Sequence, residues 1–458
     1  MSPVPGNTFA YVALAVFVPV SALVFAHMRL SRAVATVFLG GVLFLPEKTG
    51  FDLPVLPFID KYALITLCAL AGVAMSGRGH AIRRAARGTP GLLMALVGVS
   101  LVGTFVSNRD PLYFGALTAP VVLPGHSARE FISIALQSAL YVVVPFLLGR
   151  AVFRTAADLE DLLRAMAVAA LVYSVFLLVE LRLSPQLHRW IYGFHQHQFQ
   201  QSLRGGGYRP MVFMRHGIAA ALLAMSGLAA ACALARARRP IAGLSARWVA
   251  VYLGVVVLAC KSVAAAVYGL LAVLLLVTVK PRHQFRAVAL LGLVTLAYPI
   301  MRVTTIFPRV ELVDFAARFD QNRAQSLEFR FDSETKLVAK AIERPTFGWG
   351  QFGRSRIYDQ DGRDLVITDG QWIIWLGCWG VLGLVAHAGF FVVALRAAHR
   401  MRRLTHPALA PLRAMIAGLA IIVAVHFLDL LPNSLFYHLS LLYAGAIVGV
   451  VERVRRTP

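Results

Sequence analysis

Apolar residues run through this chain in long unbroken blocks, without the alternating or helical spacing that a water-exposed face imposes. Most blocks approach the length that carries a helix across a hydrocarbon core, about 20 residues. Lipid offers backbone amides no partners, so such blocks must be helices that close their hydrogen bonds internally. The pattern predicts spans near 9–26, 33–46, 62–76, 90–106, 130–148, 162–181, 212–234, 246–260, 263–279, 287–303, 370–395, 413–430 and 435–451. The stretch 246–279 is long for one crossing and short for two. Two short helices with a tight turn at Lys261-Ser262 keep the basic segment 280–286 on the same side as the other basic loops. The expectation is an all-α polytopic membrane protein of 12–13 transmembrane helices.

Polar positions divide the chain into three parts: a transmembrane bundle over 1–303, a large loop over 304–368 and closing helices over 369–458. The loop is crowded with charges of both signs. It holds an amphipathic stretch from about Ala324 to Glu343, which Pro345 ends because proline cannot continue a helical hydrogen-bond ladder. A Gly348-Trp349-Gly350 turn follows. Further loops on the same side are 47–61, 107–129 and 182–211, the last carrying His188, Trp190, Tyr192, His195 and His197.

Composition agrees: 58% of residues are hydrophobic and 15% charged. The net charge of +23 would suit a nucleic-acid binder, but its placement excludes that reading. Basic clusters such as Arg83-Arg84, Arg238-Arg239 and Arg402-Arg403 recur after every second apolar block. That recurrence is the positive-inside rule, and it puts the N-terminus outside, the C-terminus in the cytoplasm and the large loops outside. The first block has no basic residue before it, which reads as an uncleaved span. The four cysteines lie in apolar blocks at unrelated spacings and define neither a disulfide frame nor a metal site.

Four features carry candidate chemistry. Arg204, Arg209 and Arg215 sit at an outer helix mouth, against the charge bias of that side. Their forked guanidinium groups would grip a diphosphate, or else snorkel into the headgroup region. Lys261 stands alone in the longest apolar stretch and is either a second phosphate contact or a turn marker. Asp369 opens a helix punctuated by Gly380 and Gly383; it is a candidate general base, or an N-terminal helix cap. Asp429, near the outer end of the twelfth span, could pair with one of these cations. Trp349 and Arg330, from the large loop, are further candidate substrate contacts. His195 and His197 lack a third ligand at a recognisable spacing, so no metal is expected.

Four segments, in this order, resemble the O-antigen ligase and Wzy-type polysaccharide polymerase superfamily. They are Tyr208-Arg209 to Gly217, Cys260-Lys261-Ser262, Arg344-Pro345 to Gly350, and Asp369-Gly370-Gln371-Trp372 through Gly380 and Gly383. The resemblance implies a C-type glycosyltransferase-like fold in the bacterial inner membrane. It also implies a cofactor-free, metal-independent, inverting transfer from an undecaprenyl-diphosphate-linked glycan at the periplasmic face. Arg209 and Arg215 would hold the donor, Arg204, Lys261 and Arg330 would add contacts, and Asp369 would be the base. A flippase and a chain-length regulator are the partners implied. Ligases of this superfamily carry His-Asn where this chain has Asp369-Gly370. That departure favours a polymerase joining repeat units of an exopolysaccharide, capsule or O-antigen, with a ligase as the alternative. The competing class is a transporter or flippase, usually built from internal repeats around a midplane site. This chain shows no repeat, and its ionisable residues gather at helix ends.

Overall fold

The computed structural model describes residues 4–52, 57–114, 121–204, 206–351, 353–404, 406–435 and 437–456. Three small antiparallel hairpins aside, the regular structure is helical. The first helices are α1 (Thr8–His27), α2 (Leu30–Phe44), α3 (Lys61–Val73), α4 (Gly79–Ala85), α5 (Thr89–Ser107), α6 (Ala128–Ser138), α7 (Val144–Val152), α8 (Ala156–Leu183) and α9 (Leu187–Tyr192). After them come α10 (Gly217–Arg236), α11 (Ala246–Ala259), α12 (Val263–Thr278), α13 (Pro281–Val303), α14 (Arg309–Ala317) and α15 (Gln321–Ile342). The chain closes with α16 (Gln371–Arg400), α17 (Ala410–Asp429) and α18 (Tyr437–Val454).

Among the described residues, nine helical stretches are long and apolar enough to cross a membrane: α1, α3 with α4, α5, α6 with α7, α8, α10, α13, α16 and α17. The apolar helices α2, α11 and α12 are shorter, at 15, 14 and 16 residues. Large apolar side chains face outward along the bundle, including Val255 (62% exposed), Leu258 (69%) and Leu270 (60%). Water would penalise such a surface and hydrocarbon would solvate it. The chain is a multi-pass, all-α membrane protein.

Helices α10 and α17 form the centre, buried along almost their whole lengths. Small residues bring them together. A Cβ on Gly418 would stand 2.3 Å from the Cβ of Ala233, and one on Gly227 would stand 2.2 Å from that of Ala170 in α8. Close backbone approach of this kind drives helix association where the hydrophobic effect is absent. One end of the bundle is laced by arginine pairs, Arg32–Asp161 and Arg150–Glu452 at 2.7 Å each. The opposite end carries the hairpins, α9, α14 and α15. This loop end holds the candidate site.

Two elements depart from the sequence expectation. The span expected from 212 begins instead at Gly217, and residues 209–216 run irregularly into the bundle. Helix α16 is broken at Gly380 (φ 65°, ψ −167°), where the turn Pro345–Gly350 docks into the gap. There Val381 N–H donates to Pro345 O at 2.7 Å, Trp349 N–H to Gly377 O at 2.8 Å and Gly350 N–H to Cys378 O at 3.0 Å. Thr104 and Asn108 of α5 and its end bind Phe347 O (2.5 Å) and Gly348 O (3.0 Å). Irregular backbone at membrane depth survives only where protein satisfies it.

Candidate functional site

The irregular segment 209–216 is shaped by buried side chains from other segments of the chain. The Glu180 carboxylate, on α8, accepts the N–H groups of Met211 and Val212 at 2.8 Å each, and Leu187 N–H at 3.0 Å. Tyr173 Oη, also on α8, accepts Phe213 N–H at 2.9 Å, and Lys61 Nζ donates to Phe213 O at 3.1 Å. Gln196 Nε2 donates to Val212 O and Met214 O at 2.9 and 3.1 Å. A helix cannot start earlier because its first amides are committed elsewhere. The segment therefore presents Arg209 and Arg215 from a rigid backbone.

Arg204, Arg209 and Lys261 converge. Lys261, in left-handed backbone (φ 51°) at the turn between α11 and α12, donates from Nζ to Arg204 O at 3.3 Å. Its carbonyl accepts Arg209 Nη2 at 3.4 Å. Burial, then the neighbouring Arg204, lower the pKa of the Arg209 guanidinium. Its buried Nε has no hydrogen-bond partner among the described residues. His216 caps α10, and burial followed by His197 and the surrounding arginines pushes its pKa down to about 4. The imidazole is thus neutral beside a concentrated positive charge. His195 is spent on loop carbonyls, Nε2 bonding Pro185 O at 3.0 Å.

Arg215 points elsewhere, into a cavity of about 350 Å³ that it shares with Lys48, Glu47, Asp60, Tyr62, Tyr141 and His438. Buried Glu47 pairs with Lys61 at 2.8 Å and accepts from Tyr62 Oη at 2.7 Å. Burial alone would raise the Glu47 pKa, but Lys61 and the two hydrogen bonds outweigh it and hold the carboxyl below its ordinary range. Asp60 caps α3, accepting the N–H groups of Tyr62 and Ala63, and also takes the Tyr141 hydroxyl; burial raises its pKa despite these bonds. Tyr141 lies in a π-helical turn (Ala139–Val143) between α6 and α7. Such bulges re-aim side chains and cluster at functional sites. The His438 ring sits 4.2 Å from the Tyr62 ring and 5.5 Å from that of Tyr141.

A second cleft, of about 370 Å³, lies at the start of α16. Here Asp369 meets Arg330 of α15 at 3.5 Å, both side chains about half exposed. The N-terminal cap of α16 is Gly370, so the cap reading of Asp369 does not hold; its carboxylate is turned to Arg330. Gly370 packs where a Cβ would lie 2.1 Å from Leu431 O, and Gln371 N–H donates to Leu430 O at 2.8 Å. Gln371 then lines the first cavity. The two spaces thus flank one short stretch of backbone. In the second cleft Glu334 accepts from Tyr298 Oη (2.7 Å) and Arg302 Nε (3.0 Å), while burial keeps its pKa raised.

Two candidates fall outside these groups. Among the described residues Asp429 shows no ion pair with the named cations; it is buried at the end of α17, bonded to Asn433 Nδ2 at 3.1 Å and faced by Tyr268. Its carbonyl accepts Asn433 N–H at 3.0 Å in the turn that follows. Trp349 lines neither space. Its buried indole donates to Lys340 O at 2.7 Å, with Lys340 Nζ 3.6 Å and the Arg344 guanidinium 4.2 Å from the ring.

Glu47, Asp60, Lys61, Tyr62, Tyr141, Glu180 and His438 escaped the sequence reading. For Glu180 a signal existed, an acid inside an apolar block. Lys61 and Glu47 look like ordinary interfacial charges until the fold pairs them. No protein-family model matches the chain, and no curated protein matches it either.

Proposed function

We propose that this protein is a glycosyltransferase of the O-antigen ligase and Wzy-type polymerase kind, joining lipid-diphosphate-linked oligosaccharide units at the periplasmic face of a bacterial inner membrane. One observation carries the reading. Arg204, Arg209 and Lys261 converge at the loop end, with no carboxylate ion-paired to either arginine among the described residues, at the same end of the bundle as the cleft lined by Asp369. Arginines without a paired carboxylate suit a leaving diphosphate, and the Asp369 carboxylate suits an attacking hydroxyl.

In the proposed reaction an acceptor hydroxyl oxygen attacks the anomeric carbon of the donor sugar from the face opposite the diphosphate. The bond from that carbon to the phosphate oxygen breaks, and its electron pair leaves with undecaprenyl diphosphate. Arg204, Arg209 and Lys261 meet the developing charge, and the hydroxyl proton passes to Asp369, oriented by Arg330. Positioning and electrostatic stabilisation supply the rate. Asp369-Gly370, in place of His-Asn, favours chain extension over transfer to a lipid core.

The test is the surface polysaccharide of a deletion strain, with its lipid-linked pool, complemented by variants. Single repeat units stranded on lipid mean a polymerase, and long chains stranded on lipid mean a ligase. An unchanged profile, or flux of a labelled substrate without a new glycosidic bond, overturns both. Asp369→Asn is expected to lower product formation about 100-fold or more. Arg209→Ala is expected to abolish it while the protein stays in the membrane.

A further inference from the structure

The loop between α2 and α3 holds Lys48 in left-handed backbone, φ 58°, which L side chains seldom adopt. It is fixed from both sides. Before it, Glu47 is clamped by Lys61 and Tyr62, and its N–H donates to His188 Nε2 at 3.2 Å. After it, Thr49 Oγ1 donates to Val4 O at 3.2 Å, and the carbonyl of Lys48 itself accepts Val4 N–H at 3.0 Å. The side chain thus starts from a pinned backbone at the wall of the 350 Å³ cavity.

Arg215 lines the same cavity from the segment pinned by Glu180. Burial, and next the Arg215 charge, lower the Lys48 pKa against the opposing pull of Glu47, so the two cations feel each other. Among the described residues neither makes an ion pair, and neither side chain makes a hydrogen bond. The nearby Glu47 is already committed to Lys61 and Tyr62, and Asp60 to Tyr141 and its own helix. Two cations over one space, neither ion-paired among the described residues while its carboxylates are engaged elsewhere, favour an anion between them.

The rest of the lining sets what kind of anion. Tyr62, Tyr141 and His438 form an aromatic wall, and Gln137, Gln371 and Ser434 add amide and hydroxyl groups. The C–H face of a pyranose packs on electron-rich rings, while its hydroxyls need paired donors and acceptors. A diphosphate fits less well, because the Glu47 carboxylate lines the same cavity; the Arg204, Arg209 and Lys261 cluster is the better place for it.

We propose that this cavity binds an acidic sugar residue of the glycan, its carboxylate between Lys48 and Arg215 and its ring against Tyr62, Tyr141 and His438. The inference rests on the glycan-transfer reading for the polymer to which that sugar belongs. It makes the substrate an acidic polysaccharide repeat.

The experiment is ligand-observed NMR on the purified full-length protein in lipid nanodiscs, with methyl β-D-glucuronide, methyl β-D-glucoside and inorganic diphosphate as probes. Saturation transfer to the glucuronide is expected, about tenfold or more above the neutral glucoside, the size of a lost charge-assisted bond. Lys48→Asn, which tolerates the left-handed backbone, and Arg215→Gln should each remove that preference without changing the melting temperature by more than a few degrees. Lys48→Arg should restore it. Equal binding of glucoside and glucuronide overturns the inference, as does absence of glucuronide binding. Diphosphate displaced by Lys48→Asn while glucuronide is ignored assigns the cavity to the donor phosphate and likewise overturns it. Because binding is read without turnover, the site stands or falls separately from transferase activity. Uronide binding with an unchanged polysaccharide profile would sink only the catalytic reading.

Discussion

Lys61 stands where the chain enters the bundle, and its side chain is only 1% exposed. It meets the Glu47 carboxylate and three carbonyls, those of Val42, Leu45 and Phe213, so the end of α2, the start of α3 and the segment before α10 hang on one atom. Removing one member of a buried pair strands the other, at a cost of about 3–5 kcal/mol. Lys61→Ala should therefore lower the melting temperature of the detergent-solubilised protein sharply. Adding Glu47→Gln to it should recover part of the loss; an additive second loss would mean the pair is not coupled. His188 supports a pH prediction from the same loop. Its Nε2 accepts Glu47 N–H and its Nδ1 bonds Phe194 O, an arrangement only the neutral ring can make. Burial, as the largest cause, brings its pKa down to about 4 from an ordinary 6.5. The native state then binds fewer protons than the unfolded chain between those values, so stability falls as pH drops from about 6.5 towards about 4. Thermal melts across that window should show the decline. His188→Gln should flatten it, whereas an unchanged slope would shift the burden to other histidines such as His216.

The elements divide by whether their hydrogen bonds are local. Each apolar block of the sequence carries a helix among the described residues, because lipid compels an internal ladder and a block records it directly. The late start of α10 and the break in α16 were not legible. Their backbone groups are satisfied by Glu180, Tyr173, Thr104 and Asn108, side chains distant in sequence that no local period reveals. The same division runs through the site. Arg204, Arg209 and Lys261 stand out as charges on the wrong side of the bias, whereas the Glu47–Lys61–Tyr62 group is recognisable only once three segments meet. The break in α16 yields a prediction of its own. A Cβ on Gly380 would lie 2.3 Å from Thr346 O, and its positive φ is strained for any other residue. Gly380→Ala should expel the Pro345–Gly350 turn and free α15, which carries Arg330 to Asp369. Limited proteolysis of the 304–370 loop should quicken several-fold; unchanged cleavage would mean the turn docks without the glycine.

At the scale of the whole molecule, the proposed chemistry depends on which end of the bundle faces out. The hairpins, the arginine cluster, Lys48 and the Asp369 cleft all occupy the loop end, while Arg32, Arg150, Arg239 and Arg403 mark the other. The positive-inside rule predicts that the arginine-laced end is cytoplasmic. The proposed transfer requires the loop end on the opposite face, so the proposal and the charge bias agree only in that orientation. Cysteine labelling can decide it, because three of the native thiols are buried and the fourth, Cys68, is half-buried. With Cys68→Ala as background, Asp361→Cys in the exposed loop should react with a membrane-impermeant maleimide in spheroplasts. Arg403→Cys should react only after the membrane is opened. The reverse pattern would place Arg209, Arg215 and Asp369 in the cytoplasm, away from the glycan donor, and no repositioning of single residues would then rescue the transfer reading.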